Sequence, residues 1–298
     1  MGKELEAFLL KAQEGQSFDT VAVGVIDFKS KSIEALELKN RKIVKNLYFD
    51  LASLTKPLTL SATKLIHPDL FKEEKFLNLL LNHKGSIPSG GRLSRESWKE
   101  QILSYGVEDG ETLYSDYGAL RLMLEVQKKT KKDLKELCDL YWDPELLFWK
   151  DLPKNVPCPP TGFRLGKRIE GQVNDDNAFV IGNFCSHAGL FSTISGLCRS
   201  LINLNEKYNL LSSIHKTKFE GRFVNGWDTT IGENSLAGKG HGPQTFGHLG
   251  FTGTSMWIDP EKKIGQIILT NATQNYWFNR EGLNKLRRSV GEFLWKWI

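Results

Sequence analysis

The sequence predicts an α+β fold whose sheet is assembled from both ends of the chain, and three observations carry that expectation. Two strand-like runs, TVAVGVIDF (20–28) and SIEALELKN (32–40), follow a single N-terminal helix. Strand signals return late, as FGHLGFTGTSMWIDP (246–260) and KIGQIILTNAT (263–273). Between them, from Leu54 to about Leu211, the pattern is mainly helical. Early and late strands separated by a helical insertion imply one sheet that both chain ends complete.

Taken in order, MGKELEAFLLKAQEG has too short an apolar run, with acids inside it, for a signal peptide, and reads as an amphipathic helix. The two early strands are joined by a short polar turn. NLYFDLASLTKPLTLSATKLI (46–66) is β-like from Asn46 to Ala52, breaks at Ser53 and resumes as a helix. The helical insertion is punctuated by KGSIPSGG (84–91) and PKNVPCPPTG (153–162). Pro260–Glu261 marks the turn between the late strands. In the C-terminal segment Leu283, Leu286, Val290, Leu294 and Trp297 form one apolar stripe suited to packing on the sheet. The expected organisation is a discontinuous sheet domain, 1–60 and 215–298, and a mainly helical subdomain, 61–214. The active site is expected in the cleft between them.

Composition narrows the function classes. The chain has 298 residues, 40% hydrophobic and 25% charged, with net charge +5, which suits a globular protein. The basic clusters KKTKK (128–132) and KLRR (285–288) fall in helical segments and read as solvated helix faces, so no nucleic-acid partner is expected. Cysteines 138, 158, 185 and 198 show no C-x-x-C pairing, and reduced thiols are the expectation. Histidines 67, 83, 215 and 241 lack metal-ligand spacing, so no metal and no cofactor is assigned. GENSLAGKG (232–240) has the wrong spacing for a phosphate loop. No stretch approaches the roughly 18 apolar residues of a membrane span. The chain as written carries no export address and reads as cytoplasmic; a processed or trimmed start would place it outside the cytoplasm. The sequence does not speak to oligomeric state.

The chemistry centres on S-x-x-K, which occurs three times: Ser53–Lys56, Ser61–Lys64 and Ser213–Lys216. Ser61 lies inside a helix with its N–H already bonded, and Ser213 follows a polar run with no strand entering it. Ser53 alone stands at a strand-to-helix junction, where first-turn N–H groups lack intrahelical partners and the helix dipole favours negative charge. Helical spacing sets i and i+3 on one face about 5–6 Å apart at Cβ, so Lys56 reaches the Ser53 hydroxyl. Burial of Lys56 is expected to lower its pKa toward that of a base. A helix-capping Ser with a surface Lys fits the same motif. Two further stretches bear on the choice: Tyr114-Ser-Asp116 directly precedes an apolar helical run, and His248-Leu249-Gly250 lies on a Gly-rich strand that a ligand can approach closely.

With these in order, the sequence resembles the serine β-lactamase and penicillin-binding protein superfamily, whose signature is S-x-x-K, then Y-x-N or S-x-N, then K-T-G or H-T-G. The Tyr-containing second motif is similar to the class C branch, with its D-Ala-D-Ala peptidases and esterases. FDLASLTKP, LLNHKGSIPSG, LYSDYGAL, VNDDNAFVIGNFCSHAGLFST and NGWDT also look like that family's blocks. The resemblance implies a central antiparallel sheet flanked by helices, plus an all-helical subdomain. It implies that Ser53 forms an acyl-enzyme, that Lys56 and Tyr114 share base and proton-relay duty, and that the N–H groups of Ser53 and Phe251 form the oxyanion hole. Asp116, His248, Leu249 and Gly250 are implied to contact the substrate. His187, in the HAGLFST block, is read as structural, fixing a loop ahead of a helix capped near Ser192 or Thr193.

Two positions depart from the family pattern. Asp116 stands where Asn is usual, and an ionised carboxylate there favours a charged Lys56. Either Tyr114 does more of the base work or Asp116 points away from Lys56. Leu249 replaces the usual Thr and removes a hydroxyl that commonly anchors a substrate carboxylate, so β-lactams are expected to bind weakly. The expected substrate is a D-Ala-containing peptidoglycan peptide or a small ester or amide. The competing expectation is a penicillin-binding-like protein that keeps the fold without efficient turnover.

Overall fold

The computed structural model describes residues 2–230, 235–275 and 278–296. In chain order, α1 (Gly2–Ala12) leads into β1 (Thr20–Asp27), β2 (Ser32–Lys39), β3 (Lys42–Val44) and β4 (Phe49–Asp50). The helices α2 (Ala62–Ile66), α3 (Lys75–Leu81), α4 (Trp98–Ser104), α5 (Asp116–Thr130) and α6 (Leu134–Cys138) follow. Then come β5 (Leu146–Phe148), β6 (Gly162–Arg164), β7 (Lys167–Ile169), α7 (Asp176–Ile181), β8 (Leu190–Ser192), α8 (Ile194–Tyr208) and α9 (Leu210–His215). The chain closes with β9 (Phe223–Val224), β10 (Trp227–Thr229), β11 (Phe246–Leu249), β12 (Ser255–Asp259), β13 (Ile264–Thr270) and α10 (Arg280–Lys296).

Eight strands form one antiparallel sheet in the order β3-β2-β1-β13-β12-β11-β10-β9, so both chain ends meet where β1 pairs with β13. Side-chain alternation along β1 feeds two cores. Val21, Val23 and Val25 join Leu5 and Leu9 of α1 and Leu283, Leu286, Val290 and Leu294 of α10. Ala22 and Ile26 face the other way, onto Ile194, Leu197 and Leu201 of α8. Gly24 lets α8 approach, because a Cβ there would stand 2.9 Å from the Cys198 sulfur and from Ile194 Cγ1. The C-terminal stripe packs on the sheet as its spacing suggests, with Trp297 outside the described residues.

The run 246–260 divides into β11 and β12, turned at Gly250–Thr254 and paired from Phe246↔Ile258 to Leu249↔Ser255. The middle of the chain is helical around its own core of Leu80, Ile102, Leu120, Met123, Val126 and Leu134. It also carries short strands: β5 and β8 join β4 in a three-stranded sheet, and β6 and β7 form a hairpin. Each of these strands is three residues long or fewer, too short to leave a periodic signal. All four cysteines are buried and free. Among the described residues no helix is long and apolar enough to cross a membrane.

Candidate active site

The strand entering Ser53 is shorter than the β-like run suggests, because the chain turns sharply after Asp50. The Asp50 carboxylate accepts the Ala52 N–H at 2.8 Å, and Ala52 adopts a left-handed φ of 48°. A single 3₁₀ turn, Ala52–Leu54, presents Ser53, and a wider π-type turn over Pro57–Ser61 leads into α2. Lys56, 3% exposed, donates to Ser53 Oγ at 3.0 Å and to the His187 carbonyl at 3.0 Å. Its Nζ also lies 2.6 Å from Asp116 Oδ1. Asp116 therefore points at Lys56, not away from it. Burial by itself lowers the Lys56 pKa, but the Asp116 carboxylate and Tyr114 outweigh it and hold the ammonium above its ordinary value. The expectation of a lowered pKa fails because burial brings the anion in along with the lysine.

Tyr114 reaches the site on the segment that starts α5. Ser115 caps the helix, accepting the Gly118 N–H at 2.7 Å and donating to the Pro88 carbonyl at 2.6 Å. His83 Nδ1 accepts the Ser115 N–H at 3.1 Å, and its ring lies 4.8 Å from that of Tyr114. Burial, reinforced by the Lys56 cation, pushes His83 down to about 3, which keeps it a neutral acceptor. The Tyr114 side chain faces both Lys56 and Ser53, with the Lys56 ammonium 4.8 Å from its ring centre. Burial raises its pKa, while the Lys56 charge pulls it partly back.

The opposite wall is β11. His248 is buried, with Nδ1 2.8 Å from the Leu249 carbonyl and Nε2 without a hydrogen-bond partner in the described residues. Burial and then the Lys56 cation lower it to about 3, so it presents a neutral ring 5.9 Å from that of Tyr114. Gly250 abuts the Ser53 turn: a Cβ there would sit 2.7 Å from the Leu51 carbonyl oxygen. Thr252 Oγ1 and Thr254 Oγ1 donate to the carbonyls of Asp50 and Leu51 at 2.8 and 3.0 Å, pinning the Gly250–Thr254 turn to the Ser53 turn. Phe251 lies at the apex of that turn, its side chain 63% exposed.

His187 is buried, its carbonyl against Lys56. Its Nε2 lies 2.9 Å from Asp175 Oδ1, and Asp175 caps α7 by accepting the Ala178 N–H. Burial alone would favour neutral groups, but the Cys185 sulfur and the Asp175 carboxylate hold His187 well above its usual pKa, and the His187 charge holds Asp175 well below. The downstream helix, α8, is capped by Thr193.

Ser53, Tyr114, His248, Leu249, Gly250 and Phe251 line one cleft of about 320 Å³. A larger open hollow of about 570 Å³, bordered by Phe28, Asn205 and His215, holds none of the motif residues. The cleft contains groups that the motifs did not mark: Arg222, ion-paired with Asp228 at 3.0 Å, and Arg280 and Arg287 of α10. Arg287 corrects the reading of KLRR as a solvated face. It is 5% exposed and donates to the Gly250 and Thr254 carbonyls at 3.0 and 2.7 Å. Its place one residue beyond Leu286 in the apolar stripe was the available signal.

A family model described as Beta-lactamase matches residues 114–289, more than half the chain and beginning at Tyr114. A protein of Escherichia coli O157:H7 that carries the name of a D-alanyl-D-alanine carboxypeptidase is 32% identical over 117 residues, which are 34% of this chain and 26% of that protein. An N-acetylmuramyl-L-alanine amidase of Bacillus subtilis is 28% identical over 200 residues, covering 53% of this chain and 44% of the amidase. The chain thus spans from about a quarter to under half the length of these relatives. A class C β-lactamase structure from Rhodobacter sphaeroides superposes with a TM-score of 0.68 at 12% identity, covering 99% of this chain and 100% of the other, a likeness of fold. With its antiparallel sheet, its helices and the extent of the family match, the chain belongs to the beta-lactamase family.

Proposed function

We propose that this chain is a serine hydrolase that works through an acyl-enzyme at Ser53, on a D-Ala-containing cell-wall peptide or a small ester or amide. The observation that carries the reading is the convergence of Lys56 Nζ, 3.0 Å from Ser53 Oγ, and the Tyr114 phenol on one hydroxyl beside an open cleft. Ser53 Oγ attacks the substrate carbonyl carbon. Tyr114, acting from its phenolate form, takes the hydroxyl proton while the Lys56 ammonium steadies the developing alkoxide. The N–H groups of Ser53 and Phe251 receive the oxyanion, and Tyr114 returns the proton to the leaving group as the carbonyl re-forms. Water then attacks the acyl-enzyme and releases Ser53.

The names of the carboxypeptidase and amidase relatives support a cell-wall amide. Leu249, with Leu236, Phe278 and Leu283, supports an apolar group beside the scissile bond, and Arg222 and Arg280 support an anionic end. The ion pair that holds Lys56 charged favours the second reading, a binding protein without efficient turnover. Intact-mass measurement after exposure to a labelled penicillin and to an activated ester separates the two. A Ser53 adduct that is absent in Ser53→Ala is the expected result; no adduct from either donor overturns the enzyme reading.

A further inference from the structure

We propose that Asp50 is a positioning residue for acyl transfer at Ser53, its carboxylate clamping the nucleophile's turn to the loop that aims Lys56. This rests on the reading of Ser53 as the nucleophile. Asp50 is 1% exposed, three residues before Ser53. One carboxylate oxygen accepts the Ala52 N–H at 2.8 Å, and the other accepts the Asn174 N–H at 2.6 Å, from 124 residues away. The first bond holds Ala52 in the left-handed region, where a non-glycine residue persists only if its surroundings impose it. The second bond continues toward Lys56. Asn174 precedes Asp175, Asp175 binds His187 Nε2, and the His187 carbonyl accepts from Lys56 Nζ. The Asp50 carbonyl meanwhile accepts from Thr252, on the turn that carries Phe251. One buried side chain thereby ties the hydroxyl, the amine and the oxyanion turn into one frame.

The groups facing the carboxylate are few. The Ala52 N–H comes from its own turn and the Asn174 N–H from the loop before α7, together with the Asp175 carboxylate. Arg164 faces it from β6, but that guanidinium is engaged by Asp176 at 2.9 Å and by the carbonyls of Val173 and Asn174. Cys158 lies nearby on the preceding segment, and the β8 neighbour, Phe191, does not titrate. Among the described residues no cation pairs directly with Asp50, and burial raises its pKa from 3.8 to about 7 despite the two N–H bonds. Protonation turns one acceptor oxygen into a hydroxyl, and one of the two backbone donors then loses its partner. Among the groups around the cleft, His83 and His248 sit at about 3, and Lys56 and Tyr114 are raised. Asp228, on β10, is also raised by burial, against the pull of Arg222, so an acidic limb is assigned to Asp50 by its loss in the Asp50 variant.

Two measurements on the full chain test this. Burst acylation by p-nitrophenyl acetate across pH 5–9 is expected to fall below about pH 7. In Asp50→Asn, whose amide offers one acceptor where two are needed, the rate drops on the order of 10- to 100-fold at pH 8 with KM little changed, and the limb near pH 7 disappears. An Asp50→Asn enzyme with the parent rate and the parent limb overturns the proposal. Hydrogen exchange of the unaltered chain is the second measurement, independent of turnover and of the variant's folding. Protection of the Ala52 amide, of the Asn174 amide or of both is expected to fall as pH falls through 7, after correction for intrinsic exchange. Protection that stays constant at both amides overturns the clamp. If the unaltered chain forms no Ser53 adduct, the enzyme reading fails, and exchange alone decides whether the clamp exists.

Discussion

Asp116→Asn restores the amide that the family pattern has, and its effect follows from the pair it breaks. Lys56 is 3% exposed and Asp116 31%, with 2.6 Å between Nζ and Oδ1. At an effective permittivity of about 20 that attraction is about 6 kcal/mol, which the solvent on the Asp116 side reduces to about half. A loss of about 3 kcal/mol lowers the Lys56 pKa by about 2 units, since each unit is 1.36 kcal/mol. Burial, no longer opposed by the carboxylate, acts in the same direction. More neutral amine is then available 3.0 Å from Ser53 Oγ. The parent chain, with Lys56 charged and Tyr114 raised, is expected to acylate faster as pH rises and Lys56 loses its proton. In Asp116→Asn that rise should move about 2 units toward acid and increase the rate at pH 7.5 by about tenfold or more. Stopped-flow acylation by an activated ester across pH 6–10 reads both. Superimposable profiles, or a slower variant with no acid shift, would refute the assignment of Asp116 as the group that keeps Lys56 charged.

Two other substitutions address the β11 wall. Leu249→Thr returns a hydroxyl to the cleft and is expected to raise acylation by benzylpenicillin by about tenfold, the order of one good hydrogen bond to a carboxylate; mass-detected acylation rates that stay level would detach Leu249 from carboxylate selectivity. Gly250→Ala forces a Cβ to 2.7 Å from the Leu51 carbonyl and pushes the two turns apart. Its acylation rate should fall on the order of 100-fold, with a stability loss of about 1–3 kcal/mol in thermal unfolding. A variant at parent rate would show that the contact does not set the site.

Much of the fold is legible along the chain because its causes are local. The alternation in TVAVGVID marks the residues that face α10 and those that face α8. The helical stripe Leu283, Leu286, Val290 and Leu294 marks the face that packs on the sheet. The three-residue separation of Ser53 and Lys56 carries over into a 3.0 Å contact, and Tyr114 and His248 line the same cleft as Ser53. The short strands β5 to β10 escaped because two or three residues carry no period.

What only the tertiary structure decided are the charges and the partners drawn from far along the chain. Whether Lys56 is a base or a fixed cation depends on Asp116 standing 2.6 Å away, and burial alone suggested the opposite sign. His187 supplies a carbonyl to a lysine 131 residues earlier, Arg287 turns inward to hold the Gly250–Thr254 turn, and Asp50 bridges 124 residues to Asn174. Sequence periodicity fixes which way a side chain points, since backbone geometry repeats every two or 3.6 residues. Proton affinity is set by desolvation and by charges within a few ångströms, and those neighbours exist only once the chain has folded.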